Sequence, residues 1–181
     1  MLPQEMPVLE RRPVRLREWR PEDVDLVRRV HDDPMIPLIT TVPTSGRQDD
    51  ALAWIERQQE RLSSGYGYSF AIADLATDRP VGQIILRMRE IQFGRAAVGY
   101  WIAREHRRKG YAARALRLIT DWADTIEEVG RVELHVEPRN EASWRAAEEA
   151  GYQREGLLRD YQQIGEERRS MWVYSHLPDR D

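Results

Sequence analysis

A chain of 181 residues, 41% of them apolar, is long enough for one domain with a sizeable core, and its 33% charged residues nearly cancel to a net charge of −3. That balance argues against a general nucleic-acid binder, no apolar run reaches the length of a membrane span, and four scattered histidines lack metal-ligand spacing. With no cysteine, the chain has no disulfide, thiolate metal site or cysteine nucleophile, and it suits a reducing cytoplasm.

Residues 1–12 are polar and proline-containing, carry no hydrophobic signal core, and read as a tail. Val14-Arg15-Leu16-Arg17 alternates as a short strand. Pro21-Glu22-Asp23 puts proline and acids in a first helical turn, and Val24, Val27 and Val30 continue one face. Pro34, Pro37 and Pro43 break the chain into a loop. A second helix follows from about Gln48, with Leu52, Ile55 and Leu62 on its buried side, and Gly65 and Gly67 end it. Strands are predicted over 68–73, 81–89 and 96–103, separated by turns at Asp78-Arg79-Pro80 and Phe93-Gly94.

A long helix from near Arg108 to about Glu128 carries Ala115, Ile119, Trp122 and Ile126 as an apolar stripe and stops at Gly130. Residues 131–136 alternate strictly, as a strand does. Asn140 is a good N-cap for a short helix carrying Ala142, Ala146 and Ala150, and Gly151 fits its C′ position. Two final strands, roughly 152–161 and 168–176, are joined around Gly165-Glu166-Glu167. One domain is expected over 13–177, with tails at 1–12 and 178–181, no repeat and no linker.

Between strand and long helix lies Arg107-Arg108-Lys109-Gly110-Tyr111-Ala112, which holds the only lysine of the chain. The first amides of a helix have no internal partners and carry the positive end of its dipole, so a basic, glycine-containing loop at that point is a device for holding phosphates. Gly110 lets the backbone approach a ligand, and Ala112 keeps the next turn open. No Gly-Lys-Ser/Thr follows, and the three spaced glycines of a dinucleotide fingerprint are missing. The residues alone imply a phosphate-bearing ligand. The pattern Arg-x-x-Gly-x-Ala resembles the pyrophosphate signature of the GNAT superfamily of acyl-CoA-dependent N-acetyltransferases.

That resemblance covers nearly all of the chain after residue 12 and implies acetyl-CoA as the ligand. It also implies an α/β (α+β) fold with a mixed sheet of six to seven strands flanked by about four helices. Two central strands, here 96–103 and 131–137, would splay apart around the cofactor arm. Trp101 and Ile102 would offer backbone groups to that arm, and Arg107, Arg108, Lys109, Gly110, Tyr111 and Ala112 would hold its phosphates.

Asn140 and Ser143, the Gly151-Tyr152 stop and the continuation 154–161 are similar to the RimJ/RimL-like branch of ribosomal-protein N-terminal acetyltransferases. The branch implies that Asn140 contacts the cofactor arm and that Ser143 lies near the thioester sulfur as a general acid. It implies a general base at Asp160, where the shorter Asp replaces a glutamate and favours a bridging water. Many other GNAT enzymes carry a general-acid tyrosine where this chain has Ala147, and an alternative acid before the Gly-Tyr is replaced by Ala97 and Val98.

A carboxylate that accepts the amine proton, a backbone donor near Trp101 or Ile102 for the oxyanion, and Ser143 for the leaving thiolate would together serve direct transfer. Each residue also has a plainer use: helix capping for Asn140 and Ser143, and an arginine pair for Asp160. Glu133 and His135 share one strand face and are alternative bases or structural residues. Trp19, Trp54, Tyr66, Tyr68 and Trp144 are candidates to wall an acceptor pocket under the 34–45 loop, or are core. Asp32, Asp33, Asp49 and Asp50 flank that loop and would attract a cation or cap helices.

The expected activity is acetyl transfer to a primary amine, most simply a protein or peptide N-terminus, without metal, nucleic acid or membrane. The alternatives are a small amine (a polyamine, an amino acid or an antibiotic) and a non-catalytic acyl-CoA-binding module. Dimers are common in the branch, and the residues leave the oligomeric state open.

Overall fold

The described residues form eight strands: β1 (Leu9–Arg11), β2 (Val14–Arg17), β3 (Gly67–Asp74), β4 (Pro80–Glu90), β5 (Arg95–Ile102), β6 (Arg131–Val136), β7 (Gln153–Ile164) and β8 (Glu167–His176). The structure is a computed structural model and describes residues 1–179, so residues 180 and 181 of the expected C-terminal tail lie outside the described residues. The strands form one sheet in the order β1-β2-β3-β4-β5-β6-β8-β7. Every pairing is antiparallel except that of β5 with β6. The helices are α1 (Val24–Arg29), α2 (Ile36–Ile39), α3 (Gln48–Ser63), α4 (Tyr111–Ala123) and α5 (Glu141–Glu149).

The sheet thus has more strands than the six to seven expected, because the expected tail supplies one of them. Leu9 pairs with Leu16 across β1 and β2, the Tyr68 hydroxyl donates to the Pro3 carbonyl at 2.8 Å, and Leu2 and Met6 pack on the core. The long helix is shorter than its apolar stripe. α4 ends at Ala123, and Ile126 and Val129 are buried beyond it in turns closed by bonds to Ala123 and Ile126 carbonyls. Pro37 does not break the chain; it sits in the first turn of α2, where a helix needs no N–H.

Each sheet face has its own core. Ile84, Leu86, Val98 and Leu134 meet Leu116 and Ile119 of α4 on one face. On the other, Trp101 meets Trp19 and Trp54, whose rings cross edge-on at 4.9 Å. α3 therefore buries Ala51, Trp54, Ile55 and Gln58, at helical spacing, while Leu52 and Leu62 are only partly covered. Arg17 is buried with Asp23: its two terminal nitrogens donate to the carboxylate at 2.8 and 2.9 Å, and its Nε donates to Asp78 at 3.1 Å.

Candidate functional site

The parallel register of β5 and β6 covers only Arg95 to Ala97 against Arg131 to Glu133. Both strands continue past it, unpaired with each other, and leave a gap in the middle of the sheet. Ala103 N–H donates to the Val81 carbonyl at 2.9 Å, and Gln83 faces Trp101 in the antiparallel register. In an antiparallel pair alternate residues bond to the partner. The backbone of Trp101 therefore turns toward β4, and those of Val98, Tyr100 and Ile102 turn toward the gap. Of the two residues expected to offer backbone groups, Ile102 faces the gap and Trp101 faces β4. The Trp101 side chain is also committed, since its Nε1 donates to Gln83 at 2.9 Å.

Gly110 caps α4 at φ 77, and Arg108 before it has φ 61. A left-handed non-glycine residue costs about 1–2 kcal/mol, so Arg108 marks a loop held to a particular shape. A Cβ at Gly110 would meet no protein atom within 4 Å, so the glycine serves the backbone angle rather than packing. The first intrahelical bond is from Arg114 N–H to the Gly110 carbonyl at 3.2 Å, so the amides of Tyr111, Ala112 and Ala113 precede it. They are the amides that the start of α4 leaves without an intrahelical partner.

The loop side chains divide. Arg108 and Lys109 are exposed beside these amides. Arg107 is a brace: its Nε donates to the Ile102 carbonyl at 2.9 Å, and its Nη2 to Asp33 at 2.6 Å. Burial opposes ionisation of Asp33, but the Met35 and Ile36 amides and Arg107 hold its pKa below the ordinary carboxylate value. The Tyr111 hydroxyl donates to Asp74 at 2.7 Å, and burial together with that carboxylate pushes its pKa up to about 12. The Tyr111 hydroxyl is thus committed to Asp74, and its amide is left free.

Asn140 caps α5, its side-chain oxygen accepting from Ser143 N–H at 3.2 Å. Ser143 Oγ lies 2.9 Å from the Tyr100 hydroxyl, which also donates to the Ser143 carbonyl at 3.3 Å. Burial raises the Tyr100 pKa against the pull of that serine, so the phenol keeps its proton. The expected tyrosine position, Ala147, is fully buried. Tyr100 comes from a strand 43 residues away, and no local pattern marked it.

Gap, α2 and the β7–β8 hairpin bound a groove of about 900 Å³. Its walls include Tyr100, Asn140 and Ser143 on one side and Arg87, Glu133 and His135 on the other. His135 Nε2 lies 3.8 Å from Glu133 Oε2, and its ring packs against Tyr161 at 5.0 Å. Burial lowers the His135 pKa, with Glu133 pulling up and Arg87 pushing down, so the imidazole is neutral at pH 7. Glu133 is itself held by Arg131 Nε at 2.7 Å. Asp160 is not brought to this groove. It is exposed at φ 47, where β7 slips register; its N–H donates to Ser170 and its carbonyl accepts from Arg168, while Tyr161 and Gln162 face the groove instead.

Of the aromatic candidates, Tyr66 lines the groove, whereas Trp19, Trp54 and Tyr68 are core and Trp144 packs edge-on with Trp172 at 6.0 Å. Two of the acids near residues 34–45 are engaged: Asp33 accepts from the Met35 and Ile36 amides and from Arg107, and Asp50 accepts from the Ser45 hydroxyl. Among the described residues no group of His, Asp or Glu is placed to hold a metal ion, and no helix is long and apolar enough to cross a membrane.

Residues 14–153 match the family described as the acetyltransferase (GNAT) domain. The chain is 30% identical over 147 residues to the uncharacterized N-acetyltransferase p20 of Bacillus licheniformis, covering 81% of this chain and 83% of that protein. Its fold is that of Mycobacterium smegmatis RimJ in complex with a CoA disulfide, with TM-score 0.82, 23% identity and coverage of 98% and 90% of the two chains. It is also that of RimL, a ribosomal L7/L12 alpha-N-protein acetyltransferase solved with coenzyme A, with TM-score 0.81, 14% identity and coverage of 97% and 100%.

Proposed function

Because this chain belongs to the GNAT acetyltransferase family and is an acetyl-CoA-dependent N-acetyltransferase, we propose that it transfers the acetyl group directly to the N-terminal amine of a protein or peptide in the cytoplasm. The carrying observation is the roofed groove. Met35 and Leu38 of the α2 segment and Ile164 of the β7–β8 hairpin line it, and a Cβ at Gly165 in that hairpin turn would lie 3.6 Å from the Leu38 methyls. The roof favours an acceptor that enters by its end. Likeness to the alpha-N-protein acetyltransferase RimL supports the same reading.

The acyl donor would lie with its phosphates on the Tyr111–Ala113 amides, beside Arg108 and Lys109, and its arm along the gap-facing backbone of Val98, Tyr100 and Ile102. Those gap-facing amides are the source of an oxyanion donor. Ser143 hydrogen-bonds the departing sulfur, and Tyr100, protonated and 2.9 Å away, orients the serine hydroxyl. His135 accepts the amine proton, and Glu133 stabilises the imidazolium that results. This places the base at a residue first read as an alternative, with Asp160 outside the chemistry. The base strength fits the acceptor. An α-amine has a pKa of about 8, against about 10.4 for a lysine, so a histidine with a lowered pKa suffices for the former.

The test is thiol release from acetyl-CoA with peptides whose lysines are blocked and whose α-amines are free or formylated. Turnover only with the free α-amine is expected. Turnover confined to side-chain or polyamine nitrogens overturns the acceptor, and coenzyme A binding without any turnover favours a binding module.

A further inference from the structure

The groove face of β4 ends in arginines. Ile84, Leu86 and Met88 point into the core, so Gln83, Ile85, Arg87 and Arg89 share the opposite face. Arg87 lies against the gap, with its guanidinium nitrogen 3.3 Å from where a Cβ on Gly99 would sit, and its charge reaches His135. Arg89 is two residues on, about 7 Å along the strand. Arg61 of α3 joins it: both guanidinia stack on Tyr66, at 3.9 and 4.6 Å from the ring centre.

These three cations differ from the other arginines of the groove region. Arg95 is paired with Glu90 at 2.9 Å, Arg131 with Glu133 at 2.7 Å, and Arg169 with Glu137 at 3.0 Å. Arg61, Arg87 and Arg89 make no side-chain hydrogen bond or ion pair among the described residues, and Arg61 Nε is buried without an acceptor. Two guanidinia on one aromatic ring repel each other, and a buried donor with no partner is destabilising. An oxyanion bound to these guanidinia would offset both penalties through charge-assisted bonds.

We infer that Arg61, Arg87 and Arg89 form an anion subsite, and that the acceptor is an amine whose own molecule carries a carboxylate. The inference rests on the acetyl-transfer reading and narrows its acceptor class. Arg87, next to the gap, takes a carboxylate near the reacting amine; the Arg61–Tyr66–Arg89 stack takes one further along the acceptor. The same positive patch repels polyamines and favours the neutral form of an amine beside it.

The carboxylate can come from acidic side chains after an N-terminus or from the α-carboxyl of a free amino acid. Turnover with acetyl-CoA is measured for the full chain in two matched pairs: a peptide beginning Ser-Glu-Glu against Ser-Gln-Gln, and L-serine against L-serinamide. One acidic member is expected to exceed its amide by about 10- to 100-fold in kcat/KM, the value of one or two charge-assisted bonds. A preference in the first pair assigns the peptide source, and one in the second the amino acid. Arg89→Gln, at an exposed position, and Arg87→Gln are expected to collapse the preferred ratio toward one, mainly through KM. Equal turnover of acid and amide in both pairs overturns the subsite and leaves acetyl transfer standing. No turnover with any of the four, while coenzyme A still binds, overturns the transfer reading and the subsite with it.

Discussion

His135 carries the pH dependence of the proposed chemistry. Burial keeps its imidazole below the ordinary 6.5, so it is a neutral acceptor at pH 7 and turns cationic only in acid. Turnover should therefore fall as pH drops through a value below 6.5. His135→Gln should remove that limb and lower kcat by about 10²–10⁴, the usual worth of a positioned base. A pH-rate profile for the variant that keeps the limb would move the proton to another group. Ser143→Ala and Tyr100→Phe should lower kcat while leaving coenzyme A affinity near its starting value, since both act at the sulfur. Asp160→Asn should leave kcat unchanged, because its side chain is exposed away from the groove.

At the scale of the element, the start of α4 is the proposed seat of the cofactor phosphates. Gly110 at φ 77 is costly for any side chain, and a β-branched one most of all, so Gly110→Val should shift the loop and weaken coenzyme A binding by about tenfold or more. Calorimetric titration reads this directly; unchanged affinity would remove the loop from the cofactor site. Much at this scale was legible. The 131–136 strand alternates without interruption and has the same bounds in the structure, and Asn140 and Gly151 bracket α5 as capping residues do. What escaped depended on partners distant in the chain. Three prolines read as a break, yet a proline in the first turn permits α2. Leu9–Arg11 carries too weak a pattern to announce itself and becomes a strand because β2 offers a free edge. At the proposed site, Ser143 and the 107–112 loop carry local motifs, whereas Tyr100 and the groove-facing arginines acquire meaning only from strand register.

Across the whole molecule, the buried pair Arg17–Asp23 ties β2 to the segment that opens α1, and through Asp78 to the β3–β4 turn. Asp23→Ala would leave a buried guanidinium short of its main partner and should cost about 3–5 kcal/mol in urea unfolding. Acid attacks this network and a second one around Glu155. Burial opposes ionisation of Asp78, but Arg15, Arg20 and Arg17 bring it from 3.8 to about 2; Arg131 and Ser175 bring Glu155 from 4.5 to about 2. Both folded values are depressed, so their contribution is complete above the unfolded values and is lost as pH falls from about 4.5 toward 2. Urea midpoints measured down that range should decline, and a flat profile would assign these carboxylates no net role. The gap between β5 and β6 has one more consequence. The sheet is a partition with a single window, and the α5 side and the α2 side each open onto it. On the proposed reading, donor and acceptor reach the window from opposite rooms, and each product leaves by the door its substrate used.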